Sequence, residues 1–77
     1  MKRIAVESSM VNAVGYDQKS KTLYLEFTNT GYVYQYLEVG QDIFEELLNA
    51  DSLGSYIRNN IFEEYAGKKV KRRNFRW

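Results

Sequence analysis

Three tyrosines at alternate positions, Tyr32, Tyr34 and Tyr36, stand out as side chains that could do chemistry, as does the terminal run Arg73-Asn74-Phe75-Arg76-Trp77, where cations alternate with rings. A phenol joins a large apolar ring to a hydroxyl, so it can fill a core or form a binding face. Rings that stack on bases and cations that pair with phosphates are the minimum for contact with a nucleic acid. The candidates for such contact are Tyr34, Tyr36, Arg58, Lys68, Lys69, Lys71, Arg72, Arg73, Arg76 and Trp77. Each also has a plainer reading: a tyrosine stripe can be core, and Phe75 and Trp77 can anchor a tail.

Reactive side chains are scarce. The 77 residues contain no histidine and no cysteine. That removes the commonest acid–base group near neutral pH, thiol nucleophiles and a zinc site of the usual ligands. Five serines occur, at 8, 9, 20, 52 and 55, with no histidine to activate any of them. The neighbouring pairs Glu45-Glu46 and Glu63-Glu64 diverge by about 100° on a helix, so they read as solvated faces. The five glycines, at 15, 31, 40, 54 and 67, are scattered and form no phosphate loop. The expectation is a non-catalytic protein with no metal and no cofactor.

Charge is unevenly placed. The formal net charge is +1, yet Lys68, Lys69, Lys71, Arg72, Arg73 and Arg76 supply six of the eleven basic residues in the last ten positions, with no acid among them. The preceding 67 residues hold five basic and ten acidic side chains. An acidic body, residues 1–67, thus carries a basic aromatic tail, residues 68–77. Such a cluster can attract phosphates or simply remain solvated. No apolar run approaches the roughly 20 residues that span a bilayer, and the N-terminus is charged too early for a secretory signal. A soluble cytoplasmic protein is expected, with no membrane partner.

The elements that must position these residues follow from periodicity. Met10 to Tyr16 reads as a strand, and Asp17 to Lys21 as a connector. Thr22 to Phe27 alternates Leu23, Leu25 and Phe27 against Tyr24 and Glu26. Thr28 to Gly31 is a turn, and Tyr32 to Val39 a third strand. From Gln41 the period changes to that of an amphipathic helix ending near Ala50, with Ile43, Phe44, Leu47 and Leu48 on one side. Asp51-Ser52 then offers the cap of a second helix whose stripe is Tyr56, Ile57, Asn60, Ile61 and Tyr65, stopped at Gly67. The predicted fold is α+β: a three-stranded antiparallel meander followed by two helices packed on one face.

Hairpin register decides what the tyrosines do. If Phe27 faces Tyr32, then Leu25 faces Tyr34 and Leu23 faces Tyr36, and all six share the face that the helices cover. A three-residue turn with Gly31 in a bulge would slip the pairing by one and turn the tyrosines outward. The first arrangement is favoured, because Leu23, Leu25 and Phe27 need apolar partners.

Taken in order, Val6-x-Ser8-Ser9, Val14-Gly15-Tyr16-Asp17, Leu23-x-Leu25-x-Phe27, Gly31, Tyr34-x-Tyr36-x-x-Val39, Ser52-x-Gly54-x-Tyr56 and Ile61 resemble the pattern of the KTSC domain family over about residues 6–65. That family takes its name from an extension of some lysyl-tRNA synthetases and also occurs as small free-standing bacterial and archaeal proteins. The resemblance implies a domain of uncharacterised function with a suggested tie to RNA and no catalytic residues. It adds Ser8, Ser9, Tyr16, Ser52, Gly54 and Tyr56 as motif positions of unassigned role. The serines either line a polar pocket or cap backbone groups at element ends. Gly40 departs from the pattern, where relatives usually have proline. The leading expectation is an RNA-binding module, with RNA favoured over DNA. The alternative is a protein-interaction module using its helix face or tail, and a third reading is a small-ligand pocket between sheet and helices.

Overall fold

The computed structural model describes residues 1–70, 75 and 77. In chain order the elements are β1 (Ile4–Ala5), β2 (Val11–Asp17), β3 (Thr22–Phe27), β4 (Val33–Tyr36), α1 (Gln41–Leu48), α2 (Leu53–Tyr56) and β5 (Gly67–Val70). The strands form one antiparallel sheet in the order β1-β2-β3-β4-β5. The α+β class is as expected, but the sheet has five strands where three were predicted. β1 is only two residues long, too short to show a period. β5 takes Lys68, Lys69 and Val70 out of the expected basic tail and pairs them with Gln35, Tyr34 and Val33. Lysines suit such an edge strand, because charge there discourages further pairing.

The favoured register is the one observed. Leu23 pairs with Tyr36 and Leu25 with Tyr34, while the Phe27 N–H donates to the Tyr32 carbonyl at 2.9 Å. On β2 the ladder shifts between Val11 and Ala13. This bulge places one extra residue, Asn12, in the strand, and so turns Val11 to the same face as Val14 and Tyr16. Val11, Val14, Leu23, Leu25 and Tyr36 then pack with Val39, Leu47, Ile57 and Ile61 into one core.

Both helices lie over this face. Ser52 caps α2 as predicted, its Oγ accepting from the Ser55 N–H at 3.3 Å. The expected single helix to Gly67 instead widens after Tyr56 into a π-helical turn, Ile57–Ile61, in which the Phe62 N–H donates to the Ile57 carbonyl at 2.9 Å. Ile57 and Ile61 stay buried, while the widened turn carries Arg58 outward. The Tyr56 hydroxyl donates to Glu46 Oε1 at 2.8 Å and ties α2 to α1. Tyr16 stacks on Phe44 at 5.0 Å and donates to the Val39 carbonyl. Two of the motif tyrosines therefore hold elements together.

Phe75 and Trp77 lie on the other face of the sheet. Phe75 lies 5.0 Å from Tyr24, and Trp77 meets both rings edge-on, at 6.5 Å from Tyr24 and 4.9 Å from Phe75. The Arg3 guanidinium sits 5.9 Å from the Trp77 ring and pairs with Glu26 at 2.9 Å. Gly15 makes room for the indole: a Cβ there would stand 2.6 Å from Trp77 Cζ3 and 3.0 Å from the Lys2 carbonyl. Gly67 does the same across the sheet, where a Cβ would fall 2.5 Å from the Tyr36 ring.

Gly15→Ala is expected to destabilise by about 1–3 kcal/mol through overpacking. In a Trp77→Ala background the same change should cost clearly less, a coupling of about 1 kcal/mol, because the indole no longer opposes the methyl. Urea titrations of the four proteins measure this cycle, and strict additivity would show that Trp77 does not dock on Gly15. The chain's one tryptophan also provides a fluorescence report of the same contact.

Burial pushes the Tyr36 phenol up to about 12, against about 10 in an unfolded chain. The folded state thus holds this proton more tightly. The associated stability is complete below pH of about 10 and is lost as pH rises from about 10 through about 12. Tyr36→Phe should flatten the fall in denaturation midpoint over that window. A slope equal to that of the native chain would show that the Tyr36 proton is not the cause.

Candidate nucleic-acid interface

Two adjoining concavities open beside the β3–β4 turn, and Phe27 and Asn29 line both. The first is a polar cleft of about 490 Å³. The β1–β2 connection supplies Glu7, Ser8, Ser9 and Met10, and the start of α2 supplies Asp51, Ser52 and Gly54. Arg58 closes it from the π-helical turn. The β2 bulge helps to set this wall, since the Thr28 N–H donates to the Met10 carbonyl at 3.0 Å and the Thr28 hydroxyl to Asn12 Oδ1 at 3.1 Å.

The serines divide into two kinds. Ser8 Oγ accepts from the Met10 N–H at 3.1 Å, and Ser52 Oγ caps α2, so both shape the local backbone. Ser9 makes no side-chain hydrogen bond among the described residues and stands exposed at the cleft. Arg58 is exposed and forms no ion pair among the described residues. Its Nη1 lies 3.9 Å from where a Gly54 Cβ would sit, so the guanidinium lies beside the bare backbone of α2.

The second concavity is an aromatic groove of about 430 Å³, lined by Phe27, Tyr32, Tyr34, Tyr36 and Phe62 with Asn29 and Thr30 at its rim. Tyr34 meets Phe27 edge-on at 5.4 Å. Phe62 lies 6.2 Å from Phe27 and 6.4 Å from Tyr36, nearly parallel to the latter, and remains 44% exposed. The Lys69 ammonium stands 4.1 Å from the Tyr32 ring centre. A cation therefore flanks each concavity, Arg58 at one and Lys69 at the other.

Tyr34, Arg58, Lys69, Ser8, Ser9, Ser52 and Gly54 are thus brought to one surface. Tyr36 is only 4% exposed and forms the floor of the groove, so its ring offers no free face for stacking. Trp77 docks on the opposite side of the sheet, held by Tyr24, Phe75 and Arg3. Lys68 pairs with Gln35, so alternation along β5 sends it to that opposite face as well. Tyr16 and Tyr56 are committed to contacts with Phe44 and Glu46. Lys71, Arg72, Arg73 and Arg76 lie outside the described residues.

Sequence reasoning passed over Phe62, Asn29, Glu7 and Asp51 as site residues. The one available signal was Phe62, an aromatic residue next to Ile61 and off the apolar stripe of its helix. Burial raises Tyr16 and Tyr24 as well as Tyr36 and Tyr56 above the usual phenol range. These phenols are neutral near pH 7 and serve as rings and donors. Among the described residues no group of carboxylates could hold a metal ion, and no helix is long and apolar enough to cross a membrane. The surface offers rings, cations and hydrogen-bonding groups, which is the chemistry of holding a ligand.

Comparison with known proteins agrees with this architecture. A solved structure of a KTSC domain protein from Yersinia pestis superposes with a TM-score of 0.86 at 28% identity, covering 91% of this chain and 97% of the other. An uncharacterised protein of Stutzerimonas stutzeri is 40% identical over 63 residues, which is 82% of this chain and 86% of that one. A lysine–tRNA ligase of Nostoc punctiforme is 38% identical over 55 residues, 71% of this chain but only 10% of the ligase. The KTSC domain pattern itself matches residues 7–65, which includes every residue of the polar cleft and all of the aromatic groove. With that span matched and that structure superposed, the chain belongs to the KTSC domain family.

Proposed function

We propose that this chain is a cytoplasmic, non-catalytic module that binds single-stranded RNA across the joined cleft and groove. The observation that carries this reading is the exposed Phe62 beside Tyr34 in a groove with Lys69 at its edge. A splayed base can stack there while its phosphate meets the ammonium. The polar cleft next to it offers Ser9, Asn29 and Arg58 to hydrogen-bonding edges. The body of residues 1–67 presents this surface, and the basic tail of residues 68–77 adds further cations for phosphates. The match to part of a lysine–tRNA ligase supports RNA by association. A second reading, a protein partner that inserts an apolar side chain into the groove, is favoured by the exposure of Phe62 and Leu48.

Fluorescence titration of a labelled single-stranded RNA at two salt concentrations separates the two. RNA contact predicts affinity that falls steeply with salt, in proportion to the phosphates neutralised. Phe62→Ala should weaken binding by about 1–3 kcal/mol, the worth of one stacked ring, and leave the fold intact because the ring is partly solvated. Lys69→Gln should lower the salt slope by about one. The combined variant K71S/R72S/R73S/R76S should lower it further. Absence of salt-sensitive binding by the native chain would remove the RNA reading in favour of the protein partner.

A further inference from the structure

The polar cleft poses a problem of charge. Among the described residues it is lined by one cation, Arg58, and two carboxylates, Glu7 and Asp51. None of the three is ion-paired among the described residues. A bare phosphate entering this space would face more negative than positive charge. The occupant that fits must give donors to a carboxylate and acceptors to a guanidinium. At about 490 Å³ the cleft falls within the usual range for small-molecule seats, about 300–1,000 Å³.

Among unpaired bases only guanine presents both patterns. Its N1–H and N2–H₂ donors stand side by side and match the two oxygens of one carboxylate. Its O6 and N7 acceptors match the parallel N–H groups of an arginine, the commonest specific arginine–base contact. Adenine and cytosine offer one amino donor beside an acceptor, and uracil one N–H between two carbonyls. Asn29 and Ser9 lie at the same cleft with groups left over for ribose or base.

We propose that the polar cleft seats a single unpaired guanine, held by Glu7 or Asp51 on its donor edge and by Arg58 at O6 and N7, while the next base stacks on Phe62 and Tyr34. This rests on the RNA-binding reading and gives that surface a sequence preference. The phosphates then run outside the cleft, past Lys69.

The test is fluorescence anisotropy at one fixed salt concentration with uridine decamers that differ at one central base: guanine, inosine, adenine, cytosine or uracil. The guanine decamer should bind about 5- to 150-fold more tightly than the all-uridine decamer, the range expected for one good bidentate contact. Inosine, which lacks the 2-amino group, should fall between them. E7Q/D51N should erase the guanine preference while the uridine decamer binds as well as before or better, since two negative charges are gone. Arg58→Gln should also reduce the preference. All three positions are exposed, so these variants should keep the native unfolding midpoint. Equal binding of all five decamers by the native chain would overturn the guanine seat and leave RNA binding in place. No binding of any decamer would overturn both.

Discussion

The pairing of Leu23 with Tyr36 and Leu25 with Tyr34 fixes where every other group can go. A slip of one residue would send the tyrosines to the face now covered by Phe75 and Trp77, and would aim Val33 and Gln35 at the helices. The core would gain an amide and lose the rings that fill it. With the observed pairing, Tyr36 closes the core and Tyr34 stays half-buried at its margin. The groove exists because the stripe runs out of the core before it runs out of tyrosines. Core and groove are successive parts of the same strand pair.

A chain of this size has little apolar area to spare, and small domains bury a lower share of their surface. Here both faces of one sheet are covered. The helices shield Leu23, Leu25 and Tyr36, while Phe75 and Trp77 shield Gly15 and Tyr24. Two glycines allow the close approaches, Gly15 under Trp77 and Gly67 against Tyr36. The aromatic end of the chain therefore contributes to the fold, whatever its neighbouring cations contribute to binding. Phe75 and Trp77 look like stacking groups in sequence and act as anchors in space.

What could be read from the sequence was whatever depends on local period. The alternation of residues 22–27, the helical spacing of Ile43, Phe44 and Leu47, and the Ser52 cap all concern groups within a few residues of one another. The bulge at Asn12, the widened turn at Ile57–Ile61 and the edge strands β1 and β5 are set by partners distant in the chain, and no local pattern announces them. The site divides the same way. Ser8, Ser9, Ser52, Gly54 and Arg58 could be nominated one by one. That they meet in a single cleft depends on the bulge and the turn, and Glu7, Asp51 and Phe62 gained significance only from the neighbours that folding gave them.

The acidic body and the RNA reading fit together once charge is considered locally. Exposed charges more than about 8–10 Å apart are largely screened at physiological salt. The carboxylates of the body therefore act only on their own neighbourhood, and at the groove Lys69 stands 4.1 Å from the Tyr32 ring. They do oppose broad attraction of a phosphate backbone over the whole surface. On the proposed reading, such a molecule would disfavour duplex and bulk polyanion and take an extended strand at one place. Affinity then has to come from stacking and from hydrogen bonds to base edges, which are the contacts that carry sequence information. A mixed-charge cleft beside an aromatic groove is what that constraint demands, and a uniformly basic face would have answered a different need.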